Sequence, residues 1–93
     1  METKERSRLL WRCRRGAREL DSILVPYGIE RIHELNLTEL TNLSMLLDGQ
    51  DPDLLNWFLG RSQPDEPKVA SAVHDILVFK KRRDLGRTND KLI

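Results

Sequence analysis

Arg14-Arg15-Gly16-Ala17-Arg18-Glu19-Leu20-Asp21 divides the chain into a basic leading segment and an acidic middle, and how it is read decides where the first helix ends. Arg8, Arg12, Arg14, Arg15 and Arg18 crowd its leading side, and Glu19 and Asp21 open its trailing side. Gly16 stands between two strongly helix-forming stretches, where glycine costs roughly 1 kcal/mol relative to alanine. It therefore marks either a joint between helices or a place where something must come close to the backbone.

The charge layout extends outward from that joint. Seven basic residues fall between Lys4 and Arg18 and six between Lys80 and Lys91, whereas residues 19–66 hold ten acids against Arg31 and Arg61. The net charge of +1 conceals this segregation, which points to oriented docking on a partner more than to solubility alone. A length of 93 residues fits one domain. A third of the residues are charged and 5% aromatic, which suits a small helical protein with a solvated surface.

Helical periodicity recurs on both sides of Gly16. Residues 4–14 read as a first helix with Leu9, Leu10 and Cys13 inward and Trp11 off that stripe, either widening it or exposed as a contact. A second helix is expected over 17–35 through Leu20, Ile23, Leu24, Tyr27, Ile32 and Leu35, with a kink or break near Pro26 and Gly28 loosening the same place. Asn36-Leu37-Thr38-Glu39 has the form of a capping box. It opens a third helix to Asp48 with Leu37, Leu40, Leu43, Leu46 and Leu47 inward, closed by Gly49 as C-terminal cap. Asp51 then caps a fourth helix from Pro52 to Leu59, apolar nearly all round, which ends at Gly60. Pro67 begins a fifth helix to about Arg83, with Val69, Val73, Ile76, Leu77 and Lys80 inward. The expectation is an all-α, compact five-helix bundle in a single domain, 1–93, with an ordered core over about 4–84 and a polar, fraying tail over 85–93.

Enzyme chemistry finds little support. His33 and His74 lack neighbours at metal-ligand spacing, so no metal site is expected. Ser7, Ser22, Ser44, Ser62 and Ser71 sit in no nucleophile motif, and no glycine-rich phosphate loop occurs. Asp51 and Asp53 are explained by helix capping and the first-turn dipole. Cys13 could be a thiol activated by arginines, and a small buried hydrophobe is the simpler reading. With a single cysteine there is no internal disulfide, which favours a reducing compartment, and no apolar run approaches the ~20 residues of a membrane span. The expected location is the bacterial cytoplasm. The basic first helix leaves one rival open, an RNA-binding or toxin-neutralising regulator, although the rest of the chain is acidic and offers no aromatic stacking platform.

Two local patterns alter that balance. Arg15-Gly16-x-x-Glu19, followed by Leu20-Asp21, resembles the R-G-x-x-E signature of the SdhE family of succinate dehydrogenase flavinylation (FAD assembly) factors. Asp51-Pro52-Asp53-Leu54-Leu55-Asn56-Trp57 resembles that family's D-P-D-L-x-x-W signature, and Trp11-x-Cys13-Arg14-Arg15 looks like its bacterial members. The resemblance covers roughly residues 4–83, departing where Tyr27-Gly28 replaces the two aromatics that many members carry after the proline. It implies a small non-enzymatic chaperone that binds the flavoprotein subunit of succinate dehydrogenase, and of fumarate reductase in some bacteria. Such a chaperone promotes covalent attachment of FAD to a histidine of that subunit, which itself performs the bond-forming step. The signature maps onto Arg15, Gly16 and Glu19, which with Arg12 and Asp21 are the partner-binding candidates. Arg15 would then pair with a carboxylate and Glu19 with a base of the partner. In an unbroken helix the two would instead be an i,i+4 pair worth a few tenths of a kcal/mol. The chain is expected to hold no cofactor of its own, to bind no nucleic acid, and to be a monomer.

Overall fold

A computed structural model describes the backbone of residues 3–92 and the side chains of residues 3–85. It contains α1 (Thr3–Arg12), α2 (Arg18–Arg31), α3 (Leu37–Leu47), α4 (Asp51–Phe58) and α5 (Pro67–Leu92), with no strand among the described residues. The five-helix, all-α expectation is met.

α3 packs most extensively against α5 and also meets α1, while α2 packs on α1, α4 and α5. Its start is the expected capping box: the Glu39 N–H donates to Asn36 Oδ1 at 2.8 Å and the Asn36 N–H to Glu39 Oε1 at 2.9 Å. Leu40, Leu43, Leu46 and Leu47 are buried, but Leu37, expected inward, is 62% exposed. Each residue advances about 100° around a helix, so Leu37 falls about 60° past Leu40, on the side away from Leu43 and Leu46.

Two glycines separate the expected ends from the observed ones. Gly60 closes α4 as the sequence suggested. It lies at φ +75°, the Arg61 N–H reaches Asn56 O at 2.9 Å, and the Gly60 N–H reaches Trp57 O at 3.2 Å, a Schellman arrangement. Gly49 does not close α3 in this way, because its φ is not positive. Its requirement is space: a Cβ there would lie 2.8 Å from Leu54 Cδ1, 3.3 Å from Leu46 O and 3.4 Å from Trp57 Cη2.

Other boundaries shift for local reasons. Of the kink or break expected near Pro26, the break does not occur: α2 runs through the proline, with Ile23, Leu24 and Tyr27 buried on either side of it. It ends at Arg31 rather than Leu35, because the Ile32 and Leu35 carbonyls turn to accept Arg6 Nη1 at 2.7 and 2.9 Å. Gly28 does not loosen this region; it lets α1 approach, since a Cβ would lie 2.8 Å from Leu10 Cδ1 and 3.2 Å from Cys13 Sγ. α4 begins at Asp51 with Gln50 as its cap residue, so Asp51 is not the cap, and its carboxylate is turned elsewhere. α5 continues past Arg83 to Leu92, since no proline or capping motif interrupts it; Ile93 lies outside the described residues. Lys80 pairs at the surface with Asp84 at 2.8 Å. Over 85–92, expected as a polar, fraying tail, the backbone is helical.

The core joins Leu20, Leu24, Ile32, Leu35, Leu54 and Ile76 to the α3 leucines, and Tyr27 meets Phe79 of α5 edge-on at 5.4 Å. Cys13 lies fully within it. Burial pushes the Cys13 thiol up from 9.0 to about 11, against weaker lowering by Arg12 and Arg15. Burial first, and then Asp75 and Glu39, push the Tyr27 phenol up from 10.0 to about 12. Both groups hold their proton more tightly folded than unfolded. Their contribution is therefore full below the unfolded values and is lost as pH rises through the folded ones. The urea midpoint should hold to about pH 9 and fall above it, with Cys13→Ala removing the first part of the fall. A Cys13→Ala profile that falls as steeply as the parent contradicts this.

Candidate functional site

The joint at residues 13–17 is built from the inside outward. α1 stops at Arg12, and Cys13 closes its last turn with N–H bonds to Leu9 O at 3.2 Å and Leu10 O at 3.1 Å. Gly16 then takes φ +86°, a left-handed conformation that costs other L-residues about 1–2 kcal/mol, and α2 starts at Arg18. Arg15 and Glu19 are therefore not an i,i+4 pair on one helix. A Cβ on Gly16 would meet nothing within 4 Å, so its freedom serves the turn and leaves the backbone open outward.

Arg15 points the other way. Its Nη1 donates to Leu47 O, its Nη2 to Gly49 O and its Nε to Asp51 Oδ1, each at 2.7 Å. The side chain is only 16% exposed. The planar fork thus satisfies two carbonyls at the negative end of α3 and a carboxylate at the head of α4. No αL glycine closes α3, and Arg15 supplies the missing donors. Asp21 holds the same residue by its backbone, its Oδ1 accepting the Arg15 N–H at 2.7 Å. Arg12 reinforces the grip from α1, reaching Ser44 Oγ at 3.1 Å, Ser44 O at 3.4 Å and Asp48 Oδ1 at 2.6 Å.

The two sequence signatures are consequently one assembly. Arg15 of the first is bonded to Asp51 of the second, and Trp57 of the second lies over Gly49 between them. Of the five partner-binding candidates, Arg12, Arg15 and Asp21 make bonds within the chain, while Gly16 and Glu19 are exposed. The Glu19 carboxylate, in the first turn of α2, makes no hydrogen bond or ion pair among the described residues; only its backbone carbonyl is engaged, accepting Ser22 Oγ at 2.8 Å. Arg14 and Arg18 flank Gly16 on the surface and are likewise unpaired among the described residues.

Other chemistry is sparse. No group of three or more His, Cys, Asp or Glu among the described residues could hold a metal ion. His33 and His74 are exposed, and the raised pKa of buried Cys13 makes it a poor nucleophile. Among the described residues, no helix is long and apolar enough to cross a membrane. Sequence reasoning missed a surface feature beside the joint. Trp11 is 76% and Ile29 61% exposed, and with Ser7, Leu10, Arg14 and Val25 they line a groove of about 230 Å³ between α1 and α2. The available signal was the pair Val25 and Ile29, four apart on α2 and off its Leu20-Ile23-Leu24-Tyr27 stripe.

These roles separate by mutation. Arg15→Lys keeps the charge but loses the fork, and should lower stability by on the order of 2 kcal/mol in urea unfolding. Glu19→Ala should leave it within about 0.5 kcal/mol, as for a surface side chain that holds nothing. Similar losses in both variants contradict the assignment.

Residues 7–80 match a family model described as the flavinator of succinate dehydrogenase, Sdh5. The chain is 38% identical over 77 residues to the FAD assembly factor SdhE of Photobacterium profundum, covering 83% of this chain and 88% of that one. It is 33% identical over 86 residues to the protein of the same name from Pectobacterium atrosepticum, covering 92% and 96%. A Legionella pneumophila FAD assembly factor SdhE is 39% identical over 66 residues, 71% of this chain and 84% of the other. With an open glycine joint held from beneath by an arginine fork, and with that match across the helical core, the chain belongs to the Sdh5 family, the flavinators of succinate dehydrogenase.

Proposed function

We propose that this chain binds the flavoprotein subunit of succinate dehydrogenase and promotes covalent attachment of FAD to it, as an assembly factor and not as an enzyme. Family membership supports the activity. The observation that carries the site is Glu19, an exposed carboxylate without a partner among the described residues, beside a glycine whose outer side is empty. Gly16 leaves the backbone open to the approach of a protein surface directly beside Glu19. Glu19 then pairs with a base of the flavoprotein, and the contact keeps the immature subunit in a conformation that aligns its histidine with the flavin. Arg15 sets the shape of the joint from within and acts as a positioning residue. FAD stays with the client, and this chain holds no cofactor of its own.

The flavoprotein subunit of fumarate reductase is a second client under the same reading, and the factor works as a monomer in the bacterial cytoplasm. The nucleic-acid alternative needs Arg12, Arg14 and Arg15 as phosphate contacts. Two of these hold α3, leaving Arg14 alone on the surface, and the family match gives that alternative no support.

Covalent flavin on the succinate dehydrogenase flavoprotein, read by in-gel fluorescence in cells lacking the native factor, tests the proposal. The parent chain should restore the signal. Gly16→Arg should abolish it with the helical circular dichroism retained: the positive φ lowers stability by about 1–2 kcal/mol, but the added side chain meets open space in this chain and obstructs the partner. Glu19→Ala should lower it about tenfold or more, as expected for a lost charge-assisted contact. Full activity in a folded Gly16→Arg protein, or no restoration by the parent chain, overturns it.

A further inference from the structure

The groove between α1 and α2 lies beside the joint yet has no role in holding the fold. Its walls are Leu10 and Trp11 from α1 and Val25 and Ile29 from α2, with Ser7 at one position and Arg14 at another. A tryptophan 76% exposed and an isoleucine 61% exposed on facing helices leave apolar surface in water that a solvated helical protein has no folding reason to keep. Exposed aromatic anchors of this kind dominate binding energy where a partner covers them. Arg14 is the only titratable group lining the groove, and Arg8 and Arg18 stand exposed on the same two helices. None of the three has a partner among the described residues. Two acids of α2 stand near the groove walls: Glu30, exposed and next to Ile29 in sequence, and Asp21, one turn before Val25 on the same face, whose carboxylate already accepts the Arg15 N–H. The groove is continuous with the joint, since Arg14 lines the one and immediately precedes Arg15-Gly16 in the other.

We infer that the groove takes a large apolar side chain from the client flavoprotein, presented next to a carboxylate that pairs with Arg14. The inference rests on the proposed function and adds a second contact to it. Glu19 and Gly16 supply polar contact and close approach, and the groove supplies apolar area. The positive rim selects an acidic segment over a basic one. Trp11 requires no induced pocket, because its ring already forms one wall.

The test is affinity for the purified, unflavinylated flavoprotein subunit of succinate dehydrogenase, by calorimetry or biolayer interferometry, together with a thermal melt of each variant. Trp11→Ala and Ile29→Ser should each weaken binding about tenfold or more with unchanged melting, because both side chains are exposed. Arg14→Glu should weaken it similarly, and raised salt should shrink the Arg14→Glu effect but not the Trp11→Ala effect. Unchanged affinity in Trp11→Ala and Ile29→Ser, with affinity lost in Gly16→Arg, overturns the groove and spares the proposed function. Absence of binding by the parent chain overturns both. Sedimentation distinguishes the remaining occupant: a parent chain that dimerises and becomes monomeric with Trp11→Ala assigns the groove to a second copy and overturns its assignment to the client.

Discussion

The guanidinium of Arg15 is the constraint on which the rest of the structure depends. It joins the end of α1, the C-terminus of α3 and the head of α4 through three bonds of 2.7 Å. A planar fork is required because its acceptors, two backbone carbonyls and one carboxylate, must be reached together, and an ammonium has no such fixed geometry. Burial of most of the side chain strengthens each bond, and its loss would leave carbonyls without donors in a poorly hydrated place. Asp21 completes the clamp by accepting the Arg15 N–H, so that the start of α2 is fixed to the same point.

This arrangement separates holding from touching. Arginines that point inward, Arg12 and Arg15, fasten α3, and Arg6 does the same for the end of α2. Gly16 between them turns the backbone out, and Glu19 follows it on the exposed face of α2. A short segment therefore presents an open backbone and a free carboxylate on a support that cannot easily yield. Contacts that must position a client within a fraction of an ångström need such a rigid base.

Much of this was legible in the sequence. The capping box at Asn36 and Glu39, the Gly60 terminus and the burial of Leu40, Leu43, Leu46 and Leu47 along α3 follow from local chemistry and appear as expected, whereas Leu37 does not. The joint at Gly16 and the pairing of two signatures were also visible, but their physical link was not. Spacing along a chain cannot show that Arg15 reaches Asp51, thirty-six positions away, or that Asp51 therefore gives up its capping role. The reading of Gly49 failed for the same reason. Its need for a small residue comes from Leu54 and Trp57 packing over it, a tertiary demand identical in sequence to a C-cap. Gly28 is similar, because only the crossing of α1 reveals that a side chain there meets Leu10 and Cys13. Pro26 shows the converse: a local breaker is overridden when apolar residues on both sides are already buried.

The most direct test of the account is hydrogen–deuterium exchange of this chain alone and bound to the unflavinylated succinate dehydrogenase flavoprotein. The account predicts new protection over residues 14–21 and along the facing surfaces of α1 and α2, with exchange in the α4–α5 connection unchanged. Protection confined to the α4–α5 face, with residues 14–21 exchanging as in the free chain, would contradict it.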